Sequence, residues 1–98
     1  MIVVTGGAGM IGRRLVRLLA QAGHRVAVMD NLSSGLPAPA DARFAHVDIR
    51  DEALVGAFVS SFSPSLVFHL AAVHHVPTCE RLPGHSLSVN VVGTENVL

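Results

Sequence analysis

A glycine-rich segment near the start of the chain places the strongest constraint on the fold. Residues 5–12 contain four glycines, at positions 6, 7, 9 and 12. A β-branched apolar run at residues 2–4 precedes them, as in a short buried strand. Apolar side chains then recur at helical spacing, at Ile11, Leu15, Leu18, Leu19 and Ala22, before Gly23 provides a helix stop. This pattern predicts a strand, a tight turn and a helix in direct succession.

The alternation of strand and helix continues along the chain. It predicts strands at residues 25–29, 42–47 and 65–70, a Ser/Gly/Pro-rich loop at 31–40, and a second helix marked by Leu54, Ala57, Phe58 and Phe62. The fourth strand is nearly all apolar, which is typical of a strand covered by helices on both faces. A loop with Pro77 and Pro83 follows, and then a last helical pattern at Leu87, Val91, Thr94 and Leu98. The order predicts an α/β protein with four parallel strands in the order 3-2-1-4, the N-terminal part of a Rossmann doubly wound sheet.

Length and composition set the limits of this domain. The 98 residues suffice for one domain, since domains usually contain about 100–200 residues. Half of the residues are apolar and the mean hydropathy is +0.51, which is high for a small free-standing domain. We therefore expect residues 1–98 to form part of a larger unit. Seven arginines balance seven acidic residues, which argues against nucleic acid or an anionic membrane as a partner.

Cysteine content and the first residues bear on location. Cys79 is the only cysteine, so no intrachain disulfide is possible and a reducing compartment is favoured. The chain enters its first strand with no basic segment or separate apolar stretch. No apolar run approaches the ~20 residues that span a bilayer. We expect a cytoplasmic protein.

The glycine segment has the composition of a pyrophosphate-binding turn. Glycines permit a tight turn and a close approach of the backbone to phosphates, and the helix that follows presents free N–H groups to an anion. Two spacings fit by pattern: Gly7, Gly9 and Gly12 form G-x-G-x-x-G, while Gly6, Gly9 and Gly12 form G-x-x-G-x-x-G. A P-loop is excluded because the chain has no lysine. The strand and helix on either side favour a dinucleotide over a purely structural turn.

An acidic residue stands where the second strand ends. Asp30 is placed to accept hydrogen bonds from both adenosine ribose hydroxyls, and it would repel a 2′-phosphate at the same spot. Two unit charges about 4 Å apart interact by about 4 kcal/mol at an effective dielectric of about 20. This favours NAD over NADP. The alternatives are that Asp30 serves only a turn, and that Arg13 and Arg14 either receive a 2′-phosphate or are simply solvated.

A second acidic segment, residues 48–51, follows the third strand. Asp48 is placed to accept a hydrogen bond from an adenine amino group while Ile49 packs on the ring. The alternative is that Asp48 or Asp51 only caps the second helix.

The six histidines do not have metal-ligand spacing. His69, on a buried strand, is interpreted as a hydrogen-bonded core residue. His74 follows the fourth strand at the edge where open α/β sheets bind ligands, so contact with cofactor or substrate is an open alternative.

With these motifs in place, the whole chain resembles the extended short-chain dehydrogenase/reductase family, and within it the NAD-dependent nucleotide-sugar epimerases and dehydratases. The resemblance is carried by residues 5–12, 30–35, 48–51, 69–72 and 90–94. It implies the glycine register Gly6, Gly9 and Gly12. The cofactor contacts that it implies are Gly6, Gly9, Met10, Ile11, Gly12, Asp30, Asn31, Ser33, Ser34, Gly35, Asp48, Ile49, Leu70, Ala71, Ala72 and His74. UDP-glucose 4-epimerases commonly carry a lysine where this chain has His74, and Asn90 is assigned to structure.

The family's acid–base residues are missing from these 98 positions. The resemblance implies a Tyr-x-x-x-Lys pair beyond Leu98, and the chain contains no tyrosine and no lysine. We therefore expect residues 1–98 to be a partial NAD(P)-binding domain, without the catalytic half and substrate lobe. The parent would be an NAD-dependent epimerase or dehydratase with a nucleotide-sugar substrate and a homodimeric assembly. The alternative is a non-catalytic module that senses or binds a dinucleotide.

Overall fold

The computed structural model describes residues 1–98 and contains one four-stranded sheet. The strands are β1 (Ile2–Thr5), β2 (Val26–Asp30), β3 (Arg43–His46) and β4 (Leu66–His69). All three strand pairings are parallel, and the order across the sheet is β3-β2-β1-β4. The predicted strands, their direction and their order are confirmed.

Helices cover both faces of the sheet. They are α1 (Met10–Gln21), α2 (Glu52–Phe62), α3 (Val76–Arg81), α4 (Pro83–Leu87) and α5 (Gly93–Val97), with a π-helical segment at Ser88–Val92 between the last two. On one face, Val16 of α1 packs with β-strand valines such as Val4 and Val28. On the other face, α2 and the π-helical segment supply Val55, Phe58 and Val89 to the larger apolar cluster. Alternate residues of β1 and β2 thus enter two different cores, as expected for strands that are buried on both sides.

The buried face of α2 differs from the prediction. Leu54 is 49% exposed, whereas Val55 is fully buried and Phe58 nearly so. Asp51 fixes the helix start, because its side chain accepts a hydrogen bond from the Leu54 N–H. From that start, the face marked by Val55, Phe58, Val59 and Phe62 repeats at the helical interval and meets the sheet.

The segment that contains the two prolines is helical, so its prediction as a loop was wrong. Pro77 and Pro83 lie in the first turns of α3 and α4. Proline is compatible with those positions because the first turn of a helix needs no intrahelical N–H donor and the fixed φ of proline suits it. The last predicted helix also begins earlier than expected, at Pro83. None of the helices is long and apolar enough to cross a membrane.

Strand β4 is less buried than predicted. Leu66 is 47% exposed and the other three residues of β4 are half-buried. The exposure arises because β4 is an edge strand of this sheet, with β1 as its only neighbour. Apolar composition alone does not show whether a strand has one neighbour or two.

We expect residues 1–98 alone to self-associate through this region. The outer edge of β4 is unpaired, and Leu87 and Val91 are 63% and 59% exposed. Unpaired edges and exposed apolar patches promote association. Sedimentation velocity should show oligomers that the substitution Leu66→Lys reduces, because charge on an edge strand opposes pairing. A monomer with a single cooperative unfolding transition would contradict this expectation.

Candidate functional site

The chemically distinctive residues meet at one edge of the sheet. Because all four strands are parallel, their carboxyl ends lie together, and Thr5 pairs in register with both Met29 and His69. The glycine turn follows β1, Asp30 ends β2, and Asp48 lies two residues beyond β3. Carboxyl ends of strands are where open α/β sheets bind ligands.

The glycine turn is built around Gly6 and Gly12. Gly6 has a φ of +69°, a conformation that favours glycine. A Cβ on Gly12 would lie 2.1 Å from the Gly6 carbonyl oxygen. The absence of a side chain at Gly12 therefore lets α1 start directly against the turn.

The other two glycines have different surroundings. A Cβ on Gly7 would lie 2.6 Å from Val28 Cγ1, so Gly7 is required for packing on β2. At Gly9 the only nearby atom is the Gly6 oxygen, 3.3 Å from the ideal Cβ, and the Gly9 N–H donates to that oxygen at 3.1 Å. Gly9 is thus the position that a ligand can approach closely. Because Gly6 has the left-handed backbone and Gly7 is needed only for packing, the structure favours the register Gly6, Gly9 and Gly12.

The first turn of α1 is open to an anion. Gly9 is the N-cap residue, no side chain caps the helix, and the first turn has no acidic residue. Met10 and Ile11 are 78% and 72% exposed. Unpaired N–H groups and the helix dipole at such an end favour negative charge.

Asp30 joins this turn to the end of β2. Its Oδ2 accepts a hydrogen bond from the Ala8 N–H at 2.9 Å, and its Oδ1 accepts one from the Leu32 N–H at 2.7 Å. An ionised carboxylate has about four acceptor sites, so about two remain. Asp30 therefore stabilises the turn, and about two acceptor sites of its carboxylate are left over.

Residues 31–35 form a tight exposed turn after Asp30. The Asn31 side chain accepts a hydrogen bond from the Ser33 N–H at 3.1 Å, and the Gly35 N–H donates to the Leu32 oxygen at 3.1 Å. Ser34 is exposed and Gly35 has a φ of +77°. The turn is joined to the Asp30 carboxylate through the Leu32 N–H.

Arg13 ties that region to the glycine turn. Its guanidinium donates to the Pro37 oxygen at 2.7 Å and to the Ala8 oxygen at 3.3 Å. Arg14 is exposed. Arg13 is therefore a structural link between the helix and the loop rather than a solvated residue.

Asp48 is paired with Arg50. The Arg50 Nη2 lies 2.6 Å from Asp48 Oδ2, and the Arg50 backbone N–H donates to Oδ1 at 3.0 Å. The side-chain hydrogen bond from Arg50 lowers the pKa of Asp48 from 3.8 to about 2. Arg50 Nε also donates to both Asp48 oxygens, at 3.0 and 3.2 Å, so Asp48 is an ionised acceptor that a ligand donor would share with Arg50. Asp51 rather than Asp48 caps α2. An open surface hollow of about 640 Å³ adjoins this pair and is also lined by Asp51, Glu52 and Ser88.

Ile49 is not placed as predicted. Its side chain is 4% exposed and lies against Gly93, where an ideal Cβ would be 2.6 Å from Ile49 Cδ1. The Ile49 oxygen accepts a hydrogen bond from Asn96 at 2.9 Å. The expected stacking of this side chain on an adenine ring is therefore wrong: Ile49 belongs to the core that supports the loop of Asp48.

The residues after β4 complete the edge. Leu70 and Ala72 are exposed, Ala71 is half-buried beside Gly6, and His74 is exposed. The Asn90 side chain holds Val73 by accepting from its N–H and donating to its oxygen, both at 2.8 Å. The assignment of Asn90 to structure is confirmed.

Sequence reasoning missed the hydroxyl groups at this edge. Thr5 Oγ1 accepts from the backbone N–H groups of Leu70 and Ala71, at 3.1 and 3.2 Å, and contacts His69. Its position at the end of β1, immediately before the first glycine, was the available signal, because a hydroxyl there can accept from backbone N–H groups just beyond the paired strand.

Comparison with known proteins identifies the family. The sequence model for the NAD dependent epimerase/dehydratase family matches residues 2–98. This chain belongs to that family. A UDP-glucose 4-epimerase of Halalkalibacterium halodurans is 40% identical over 98 residues, which are 99% of this chain and 29% of that protein.

Solved structures agree in fold. A UDP-glucose 4-epimerase from Thermus thermophilus, in complex with NAD, matches 98% of this chain and 32% of its own with a TM-score of 0.92 and 38% identity. A UDP-glucose 4-epimerase from Thermotoga maritima, with UDP-glucose, gives a TM-score of 0.94 and 39% identity over 98% of this chain and 32% of its own. The chain thus spans about a third of the length of these relatives.

Proposed function

We propose that residues 1–98 hold the adenosine diphosphate half of NAD in an NAD-dependent nucleotide-sugar epimerase or dehydratase. The observation that carries this proposal is the order of groups along the sheet edge. Asp48 follows β3, Asp30 ends β2, the glycine turn follows β1, and Leu70 follows β4. In the spatial order β3-β2-β1-β4, these groups correspond to adenine, ribose, pyrophosphate and nicotinamide riboside. The parts of the dinucleotide follow one another in that same order.

The pyrophosphate is assigned to the start of α1. The amides of Met10 and Ile11 and the open side of Gly9 form the anion-accepting end described above. The helix dipole stabilises a negative group there by about 0.3–1 kcal/mol at exposed sites.

The ribose is assigned to Asp30, with Asn31, Ser33, Ser34 and Gly35 forming the adjoining turn. The remaining carboxylate acceptors of Asp30 suit two vicinal hydroxyls and disfavour a 2′-phosphate. Arg13, which would have favoured that phosphate, is already bonded to two carbonyl oxygens. These contacts support NAD rather than NADP.

The adenine is assigned to Asp48, and its amino group supplies a test. We expect the protein to prefer NAD over nicotinamide hypoxanthine dinucleotide, which has a carbonyl oxygen in place of that amino group, by about five- to tenfold, because a hydrogen bond to a charged group is worth about 1.5 kcal/mol or more before screening. Asp48→Ala should remove the preference. Asp51→Ser, which keeps a helix cap, is the matched control and should retain it. Equal preferences in all three proteins, measured by calorimetry, would contradict the assignment.

The chemistry of the complete enzyme needs groups that these residues lack. Bound NAD supplies the hydride acceptor and donor. Residues 1–98 bind and orient it, with Leu70, Ala71, Ala72 and His74 along its nicotinamide half. The tyrosine and lysine that the family uses for proton transfer, and the site for the nucleotide sugar, are proposed to lie in a further segment.

Titration with parts of the cofactor tests the proposal. Calorimetry of the protein should show binding of NAD and of ADP, and no binding of nicotinamide mononucleotide at the same concentration. Binding of the mononucleotide without binding of ADP would overturn the assignment of the halves. Binding of neither NAD nor ADP would overturn the function.

A further inference from the structure

A half-buried, hydrogen-bonded histidine lies at the end of β4. His69 pairs in register with Thr5 of β1, so the two side chains lie side by side on the same face of the sheet. Thr5 is fully buried and His69 is half-buried. The Thr5 Oγ1 and His69 Nδ1 atoms are 2.6 Å apart, which is a short contact for a hydrogen bond.

The direction of this hydrogen bond follows from the other partners of Thr5. Its hydroxyl has one proton and two lone pairs, and the N–H groups of Leu70 and Ala71 donate to the lone pairs. The Leu70 N–H is shared with the Thr5 backbone oxygen, also at 3.1 Å. The arrangement that uses the hydroxyl fully directs its proton to an unprotonated His69 Nδ1. Burial lowers the pKa of His69, which is consistent with a neutral ring.

The second ring nitrogen extends the chain of bonds to the last helical segment. If Nδ1 is the acceptor, Nε2 carries the proton and donates to Thr94 Oγ1 at 2.9 Å. The Thr94 hydroxyl in turn donates to the Asn90 oxygen at 2.7 Å. With the proton on Nε2, both ring nitrogens and both threonine hydroxyls have a hydrogen-bond partner.

The network fixes residues 70–73 against the glycine turn. The Thr5 hydroxyl holds the start of this segment, and the Asn90 side chain holds Val73 at its end. A Cβ on Gly6 would lie 2.6 Å from the Ala71 nitrogen, so the two backbones are in close contact. Ala71 therefore lies where the segment that is assigned to the nicotinamide half begins beside the glycine turn.

We propose that His69, as the neutral Nε2–H tautomer, is a positioning residue that sets residues 70–73 for the nicotinamide half of the cofactor. This inference rests on the proposed function. It assigns His69 an indirect role in cofactor binding, because both ring nitrogens are bonded to threonine hydroxyls of the protein. Its effect should be larger on NAD than on ADP, because ADP ends at the pyrophosphate.

Calorimetry with NAD and ADP on matched variants tests this role. His69→Phe keeps a ring and removes both nitrogens, and it should weaken NAD by about tenfold or more while ADP changes by less than about threefold. His69→Asn retains an acceptor where Nδ1 lies and should recover most of the NAD affinity. His24→Phe, at an exposed position before β2, is the control and should bind like the wild type.

Two further measurements keep the inference open to refutation if His69→Phe does not fold. Thr94→Val removes only the distant hydroxyl and should weaken NAD more than ADP in the same direction. Imidazole ¹⁵N spectra of the unliganded wild type should show a protonated Nε2 and a bare Nδ1 for His69. The opposite tautomer would overturn the proposal.

The outcomes separate this inference from the proposed function. Equal losses of NAD and ADP affinity in the His69 and Thr94 variants would show a general structural role and overturn the inference alone. Unchanged affinity for NAD in those variants would also overturn the inference and leave the proposed function standing. Failure of the wild type to bind either ligand would overturn the proposed function and this inference with it.

Discussion

Gly12→Ala should abolish measurable NAD binding and lower the free energy of unfolding by about 3 kcal/mol or more, at the upper end of the cost of overpacking. The added methyl group would lie 2.1 Å from the Gly6 oxygen and 2.7 Å from the Gly7 Cα. Both are backbone atoms of the turn, so relief requires moving the turn or the start of α1. The turn is also the proposed pyrophosphate site, so stability and binding should fall together.

Gly56→Ala is the matched control for this substitution. Gly56 lies inside α2, is exposed, and has no atom within 4 Å of an added Cβ. Alanine there should stabilise the helix by about 0.5–1 kcal/mol and leave NAD binding unchanged. Urea denaturation and calorimetry measure both effects. Similar stability and affinity for the two variants would refute the role of Gly12 in closing the turn.

Asp30→Ala should weaken NAD by about 10- to 100-fold, since each hydrogen bond to a charged group is worth about 1.5–3 kcal/mol. NADP should lose less affinity or gain some, because the substitution removes the carboxylate that repels its 2′-phosphate. The ratio of the two dissociation constants is therefore the decisive quantity. The Ala8 and Leu32 N–H groups lose their acceptor in this variant, which should weaken NAD and NADP alike. That common loss of affinity cancels in the ratio.

Two controls sharpen the Asp30 test. Asp30→Asn keeps one acceptor oxygen without the charge, so it should show a smaller loss for NAD. Asp41→Ala removes an exposed carboxylate at the opposite edge of the sheet and should change neither dissociation constant. A parallel loss of NAD and NADP affinity in Asp30→Ala would argue against the ribose assignment.

The parts of the fold that sequence predicted well are those with strong local patterns. Four short strand-like runs and three helical patterns predicted the alternation of strand and helix, and the right-handed crossover rule then limits the strand order. The local structure of the glycine turn and of Asp30 also depends on residues close to them in sequence or in the paired strand. The φ of +69° at residue 6 favours glycine, and two backbone N–H groups at residue 30 favour a side chain that accepts hydrogen bonds.

The parts that sequence missed depend on neighbours distant along the chain. The Ile49 side chain is buried against Gly93, which lies 44 positions later in the chain. The exposure of Leu66 depends on β4 having a single neighbour. The network through Thr5, His69 and Thr94 connects three separate elements, and no spacing rule links such residues. The predictions at Pro77 and Pro83 were wrong because proline ends a helix in its interior but begins one in its first turn.

The most direct test of where the cofactor lies is an NMR titration of ¹⁵N-labelled protein with NAD. We expect the largest chemical-shift changes at the amides of Gly9, Met10 and Ile11 and around Asp30. The amides of His24 and Asp41, which line a shallow hollow of about 350 Å³ at the amino ends of the strands, should not shift. Changes confined to that hollow, with the glycine turn unaffected, would contradict the assignment of the dinucleotide to the carboxyl edge of the sheet.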